Sequence, residues 1–132
     1  MALRFGGFVV QPWAVGAAMG PSRTEQNKKH AIIIELKQWV SSELTDKDGI
    51  VRTTLGRGIM ETSHPSYQAW SYATLLNDFS ETVYTENISL KPCAFLHNYE
   101  EDQIIRNPFY QEYLDKAPVF LKKEMALLRD FI

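Results

Sequence analysis

The chain has 132 residues, 45% of them hydrophobic and 23% charged, which supplies one domain with a packed core, leaves too little for two, and argues against disorder. Fourteen Lys and Arg against 16 Asp and Glu leave a net charge of −2, so no overall positive field draws in nucleic acid or an anionic membrane, and any such contact is local. A single cysteine, Cys93, excludes an intramolecular disulfide and a multi-thiolate zinc site and fits a reducing, cytoplasmic setting; no apolar run reaches the roughly 18 residues a membrane span needs.

Residues 1–20, MALRFGGFVVQPWAVGAAMG, carry one charge, Arg4, but Gly6-Gly7 and Gln11-Pro12 interrupt the apolar stretch a signal segment requires, and the pattern predicts an edge strand from Leu3 to Val10 followed by a loop. After a polar stretch from Pro21 to His30, Ala31 to Val40 predicts a central strand, because Ile32, Ile33 and Ile34 are apolar on both faces. Ser41 to Gly49 is polar. Ile50–Leu55 and Ile59–Thr62 flank Gly56-Arg57-Gly58 and predict a hairpin. His64-Pro65 opens the strongest helix, with Ala69, Tyr72, Ala73, Leu76 and Phe79 at helical spacing, running to about Ser80. Ile88 to His97 predicts a second interior strand, with Pro92 confining the paired part to Cys93–His97. Phe109 to Lys116 predicts a short helix ended by Pro118, and Leu121, Met125, Leu128 and Ile132 form a stripe on a final helix. The order is that of an α/β domain whose Glu35 and Cys93 strands, joined through a helix, lie parallel. Since the last stripe reaches the final residue, the chain is expected to be a piece of something longer.

Residues two apart on a strand share a face, so Glu35 and Lys37 project together from the end of an apolar run. One reading is phosphodiester chemistry: Glu35, with the Leu36 backbone carbonyl, offers hard oxygens to Mg²⁺, and Lys37 neutralises developing phosphorane charge or orients the attacking water. The other is a strand-end ion pair, worth about 0.2–1 kcal/mol if exposed. Gln68 and Tyr72 lie one helical turn apart, so an amide and a phenol can reach one phosphate or one metal-bound water; alternatively Tyr72 fills the core while Gln68 is solvated. Among scattered basic residues, Arg52 and Arg57 on the hairpin are best placed to touch a phosphate backbone. Trp39, Trp70 and Tyr67 are candidates for stacking on bases or for core packing. His30, His64 and His97 lack metal-ligand spacing; His64 ends a turn and begins a helix, and His97-Asn98-Tyr99 sits where an interior strand leaves the sheet, a place where open α/β folds meet ligands. Cys93 reads as a small core residue, and without a GxxxxGK[ST] loop the chain is not itself an ATPase.

An apolar strand ending in Glu-x-Lys, then a helix bearing Gln-x-x-x-Tyr, then another apolar strand resembles the RecB-like branch of the PD-(D/E)xK nuclease superfamily. The stretches IIIELKQW (32–39), DKDGIVRT (46–53), HPSYQAWSYA (64–73), LKPCAFLHNY (90–99) and YLDKAPVFL (113–121) look like the N-terminal nuclease-like domain of bacterial Schlafen-like DNA/RNA helicases, over about residues 26–132. The resemblance implies one domain of restriction-endonuclease-like α/β fold, with a mixed central sheet flanked by helices. It implies Mg²⁺- or Mn²⁺-dependent hydrolysis of DNA or RNA, with Glu35, Lys37, Gln68 and Tyr72 catalytic and Glu35 and Leu36 on the metal. It also implies a P-loop helicase or ATPase domain, in the same or an adjacent chain, as a partner. The superfamily carries a metal-binding Asp on the preceding strand, yet residues 1–24 contain no Asp or Glu, and Glu25 sits in a polar stretch beside Gln26, Asn27 and two lysines. Residues 1–25 are therefore atypical, and the fold is expected to be incomplete at the N-terminus, leaving the cation weakly held unless nucleic-acid phosphates complete its shell. Two readings stay open beside hydrolysis: a non-catalytic nucleic-acid-binding or helicase-docking module, and a homo-oligomer formed through an exposed sheet edge.

Overall fold

The computed structural model describes residues 3–5, 8–11, 29–56 and 58–132. Strands β1 (Leu3–Phe5), β2 (Phe8–Gln11), β3 (Lys29–Lys37), β4 (Ser42–Leu44), β5 (Ile50–Leu55) and β6 (Gly58–Ser63) precede helices α1 (Pro65–Phe79) and α2 (Glu81–Thr85). There follow β7 (Ile88–Leu96), a 3₁₀ turn (Pro108–Tyr110), α3 (Gln111–Lys116), β8 (Val119–Leu121) and α4 (Met125–Phe131). The strands form a five-stranded mixed sheet, ordered β1-β2-β3-β7-β8, and a three-stranded antiparallel sheet, β4-β5-β6. The fold is mixed α/β, as the element order predicts. β3 and β7 are parallel across α1, with Ile33 opposite Pro92 and Glu35 opposite Ala94, and β8 continues the parallel side.

β3 is buried on both faces because its flanks are filled. On one face Ile32 and Ile34 join Cys93, Phe95, Phe120 and Leu128, with Phe131 of α4 packed against them. On the other, Ala94 and Leu96 of β7 join Val119, Leu121, Trp39, Tyr99 and Tyr110. Paired residues of neighbouring strands point to the same side, so Glu35 and Lys37 share the face of Ala94 and Leu96. That is the face α1 packs on, bringing buried Ala69 and Ala73, whose small side chains admit a close approach to the sheet.

The α1 boundaries follow the sequence. His64 caps the helix, its Nδ1 accepting from the Ser66 N–H at 3.1 Å, and Pro65 fills the first turn, where its missing N–H is no loss. Ser80 ends α1 and caps α2 through its hydroxyl. The turn before β5 needs glycine: Gly49 has φ +68°, and a Cβ there would meet the Tyr113 ring at 3.3 Å.

Three local expectations are corrected, and one strand is added. The segment read as one edge strand, Leu3–Val10, is two antiparallel strands, β1 and β2, separated in sequence by Gly6-Gly7, and β2 pairs β3 from Phe8–Glu35 to Gln11–Ile32. Ser41–Gly49 contains a strand, β4, whose side chains lack alternation because both its faces are largely open; its ladder to β5 and the Thr53 hydroxyl bond to the Ser41 carbonyl hold it. β7 runs unbroken through Pro92. The Ala94 N–H faces β8, donating to the Pro118 carbonyl, so the Pro92 nitrogen two residues earlier faces the same side before β8 begins, where no ladder bond is lost. Leu121, assigned by spacing to the final helix, instead ends β8, which is buried along its length.

Candidate functional site

The last turn of β3 delivers two charged side chains to the α1 face. Glu35 is 2% exposed, and its Oε1 lies 2.8 Å from Lys37 Nζ, whose side chain keeps 19% of its surface. Oε2 of Glu35 is buried and has no hydrogen-bond partner. Burial raises the Glu35 carboxyl above its ordinary range, and the Lys37 hydrogen bond and charge oppose that rise without cancelling it. Lys37 Nζ also lies 5.3 Å from the centroid of the Trp39 ring, a cation–π contact that helps fix its direction.

Across from this pair, Gln68 and Tyr72 project from α1 one turn apart. Glu35, Lys37, Gln68 and Tyr72 line one open groove of about 420 Å³, together with Ser63 at the end of β6 and Tyr67, Ser71 and Leu75 on α1. The four expected site residues are thus brought to one place by a parallel crossover: β3 presents acid and amine, and the helix that follows the β5–β6 hairpin presents amide and phenol. Burial raises the Tyr72 phenol above its ordinary value. Leu36 lies between Glu35 and Lys37 with its side chain on the opposite face.

Arg52 goes elsewhere. It lies on β5 in the second sheet, away from the groove lining, with Nη2 3.0 Å from Glu61 and Nη1 3.6 Å from Glu43. Lys47 also reaches Glu61, at 2.6 Å, and the two cations hold the Glu61 carboxyl below its usual range. Arg52, read from the sequence as one of two arginines best placed to touch a phosphate backbone, is accompanied here by two carboxylates. Arg57 and Glu25 lie outside the described residues.

Other singled-out residues resolve into structure. Trp39 is buried in the core, and Trp70 has Lys116 Nζ 3.9 Å from its ring centroid. Tyr99 is fully buried, donating to Asp102 Oδ2 at 2.6 Å and meeting the Ser42 hydroxyl at 2.5 Å, so its phenol ties β4 to the loop after β7. Cys93 is a buried core thiol, pushed up to about 12 by burial. Ser71 and Leu75 continue the helical stripe of Gln68 and Tyr72 at i+3 spacing and were within reach of sequence reasoning; Ser63 reaches the groove only because β6 runs straight into α1.

Among the described residues no group of three or more His, Cys, Asp or Glu side chains is gathered closely enough to hold a metal ion, and no helix is long and apolar enough to cross a membrane. No protein-family model matches the chain, and no curated protein or solved structure matches it.

Proposed function

We propose that the groove is a phosphodiester-binding site for metal-assisted hydrolysis of DNA or RNA, in a nuclease-like domain of the RecB-like kind. The observation that carries the reading is the buried, unpartnered Glu35 Oε2 beside a lysine, in a groove whose opposite wall bears Gln68 and Tyr72. An orphaned buried carboxylate oxygen is costly unless something positive completes it. A divalent cation fits that oxygen, with Glu35 as its one carboxylate ligand and the Leu36 carbonyl as a second oxygen. The donor set is thin, so the fit is to a weakly held Mg²⁺ or Mn²⁺ that keeps most of its water, not to a dedicated cage. When bound, such an ion supplies Lewis-acid polarisation of a phosphoryl oxygen and a more acidic water.

The chain's own groups do the rest. Lys37, partly open to the groove, places an ammonium against the charge that builds on the phosphoryl oxygens, and its bond to Glu35 fixes where that charge sits. The Gln68 amide and the Tyr72 side chain line the same groove, where they help orient a phosphate. The setting this reading implies is cytoplasmic, with a P-loop helicase or ATPase domain as a natural companion. The thin carboxylate set favours one second reading, a domain that holds nucleic acid without cutting it.

The test incubates the protein with end-labelled single- and double-stranded DNA and RNA in Mg²⁺ or Mn²⁺. Cleavage is expected, falling about 10²- to 10³-fold in Glu35→Ala and in Lys37→Ala. Cleavage that persists in both variants would place the chemistry elsewhere. Salt-sensitive binding with no cleavage and no need for metal would select the binding-only reading.

A further inference from the structure

The groove that holds Glu35 and Lys37 also holds an aromatic ring. Tyr67 is 36% exposed and lines the groove one residue before Gln68 on α1. Its ring is braced from behind. Tyr113 meets it at a centroid distance of 5.0 Å and an interplanar angle of 84°, and Trp70 at 5.9 Å and 67°. Tyr113 is itself anchored by its hydroxyl to Asp48 at 2.7 Å, and a Cβ placed at Gly49 would lie 3.3 Å from the Tyr113 ring and 3.5 Å from the Tyr67 ring. Among the described residues no ring lies parallel to Tyr67. Of the two tryptophans, Trp39 is buried and Trp70 has Lys116 over its ring.

From this we infer that the groove selects an unpaired nucleotide, with its base stacked on Tyr67 and its phosphodiester at Lys37 and Glu35, so that the substrate class is single-stranded nucleic acid or a frayed end. In a duplex both faces of every internal base are already stacked, so a fixed aromatic platform beside the phosphate site serves a base that lies outside a helix. A braced ring loses little freedom when a base lands on it, which makes it an effective platform. The inference rests on the phosphodiester reading of the groove and adds strand selectivity to it.

The test measures fluorescence anisotropy of a labelled 12-nucleotide oligo(dT), its RNA counterpart oligo(U), and a hairpin duplex, in Ca²⁺ and in EDTA, with 2-aminopurine placed in a second single strand to report stacking. Single strands are expected to bind at least about 10-fold more tightly than duplex. Tyr67→Ala should lose about 10-fold on single strands and nothing on duplex, while Tyr67→Phe and Tyr67→Trp should retain the preference. The 2-aminopurine signal should quench on wild type, a readout that decides the matter even if the alanine variant folds poorly. Equal affinity for single strand and duplex, or absence of that quench, overturns the inference. Tyr67-dependent single-strand binding without cleavage would keep it and retire the hydrolysis reading; Glu35-dependent cleavage of duplex, indifferent to Tyr67, would do the reverse.

Discussion

His64 Nε2 donates a 2.8 Å hydrogen bond to the Ile105 carbonyl, 41 residues away, while its Nδ1 accepts from the Ser66 N–H. Because Nδ1 must keep its lone pair, the ring is held neutral with the proton on Nε2. One side chain therefore caps the helix that carries Gln68 and Tyr72 and pins the loop beyond β7 to it.

Burial lowers the His64 imidazole from 6.5 to about 4. The unfolded chain protonates first as pH falls, so stability attributable to His64 is intact above pH 6.5 and is lost progressively down to about pH 4, by about 3 kcal/mol. Denaturant unfolding at pH 7 and pH 4.5 should show this loss, and His64→Asn, which keeps a capping oxygen, should be less stable at pH 7 yet flatter with pH. An unchanged pH slope in the variant would assign the dependence to other groups.

The Glu35 carboxyl moves the opposite way. Its native-state value is raised, so its contribution is present below 4.5 and declines as pH climbs through the raised value. Lys37→Met should leave a buried carboxylate without its cation and cost roughly 2–4 kcal/mol at pH 8, with a much smaller loss at pH 4.5. Glu35→Gln, which removes the buried charge, should cost less than 1 kcal/mol or stabilise the fold. Titration calorimetry with Mn²⁺ should show affinity that increases with pH as Glu35 ionises and that vanishes in Glu35→Gln. Binding that ignores pH would place the cation on other ligands.

Arg106 closes the end of the parallel sheet. Its guanidinium bonds Glu124, reaches Glu101 at 3.2 Å and donates to the Val119 carbonyl, while Glu124 also accepts the Leu121 N–H at 2.8 Å. Arg106 holds the Glu124 carboxyl below its ordinary range, so this support is present above pH 4.5 and weakens in acid. Arg106→Ala should cost about 2 kcal/mol at pH 7, and Arg106→Lys should recover little of it, because one ammonium cannot serve these acceptors in a planar fork. Hydrogen exchange should locate the loosening at β8 and α4; protection unchanged there would refute the role.

Cys93 packs between β3 and the C-terminal helix with its thiol pushed up to about 12. The native protein should not react with Ellman's reagent at pH 8 and should release one equivalent once unfolded in guanidinium. Rapid native labelling would mean that this core opens readily.

Four residues of the candidate groove were read from the sequence, and Ser71 and Leu75 were within reach of the same helical spacing. Period two on an apolar strand put Glu35 and Lys37 on one face, and period 3.6 put Gln68 and Tyr72 on one face. Which face meets which depended on the parallel register of β3 with β7 and on the packing of α1 over Ala94 and Leu96. The surroundings of Arg52 show the same dependence: its position on the hairpin was clear, but Glu43 and Glu61 converge on it only through cross-strand pairing, Arg52 standing opposite both.

Local chemistry in the chain determined by itself that a proline-led helix follows a glycine-bearing hairpin, that three consecutive isoleucines build a covered strand, and that the domain mixes helix and sheet, because propensity, capping and periodicity act within a few residues. Tertiary structure alone decided that Pro92 lies within a strand, that Leu121 ends one, that a Glu35 oxygen is buried without a partner and that Tyr67 enters the groove. Each of these depends on what lies alongside a residue in space, on a neighbouring strand's starting point, a covering helix or a bracing ring, and contacts between distant segments leave no period in the sequence.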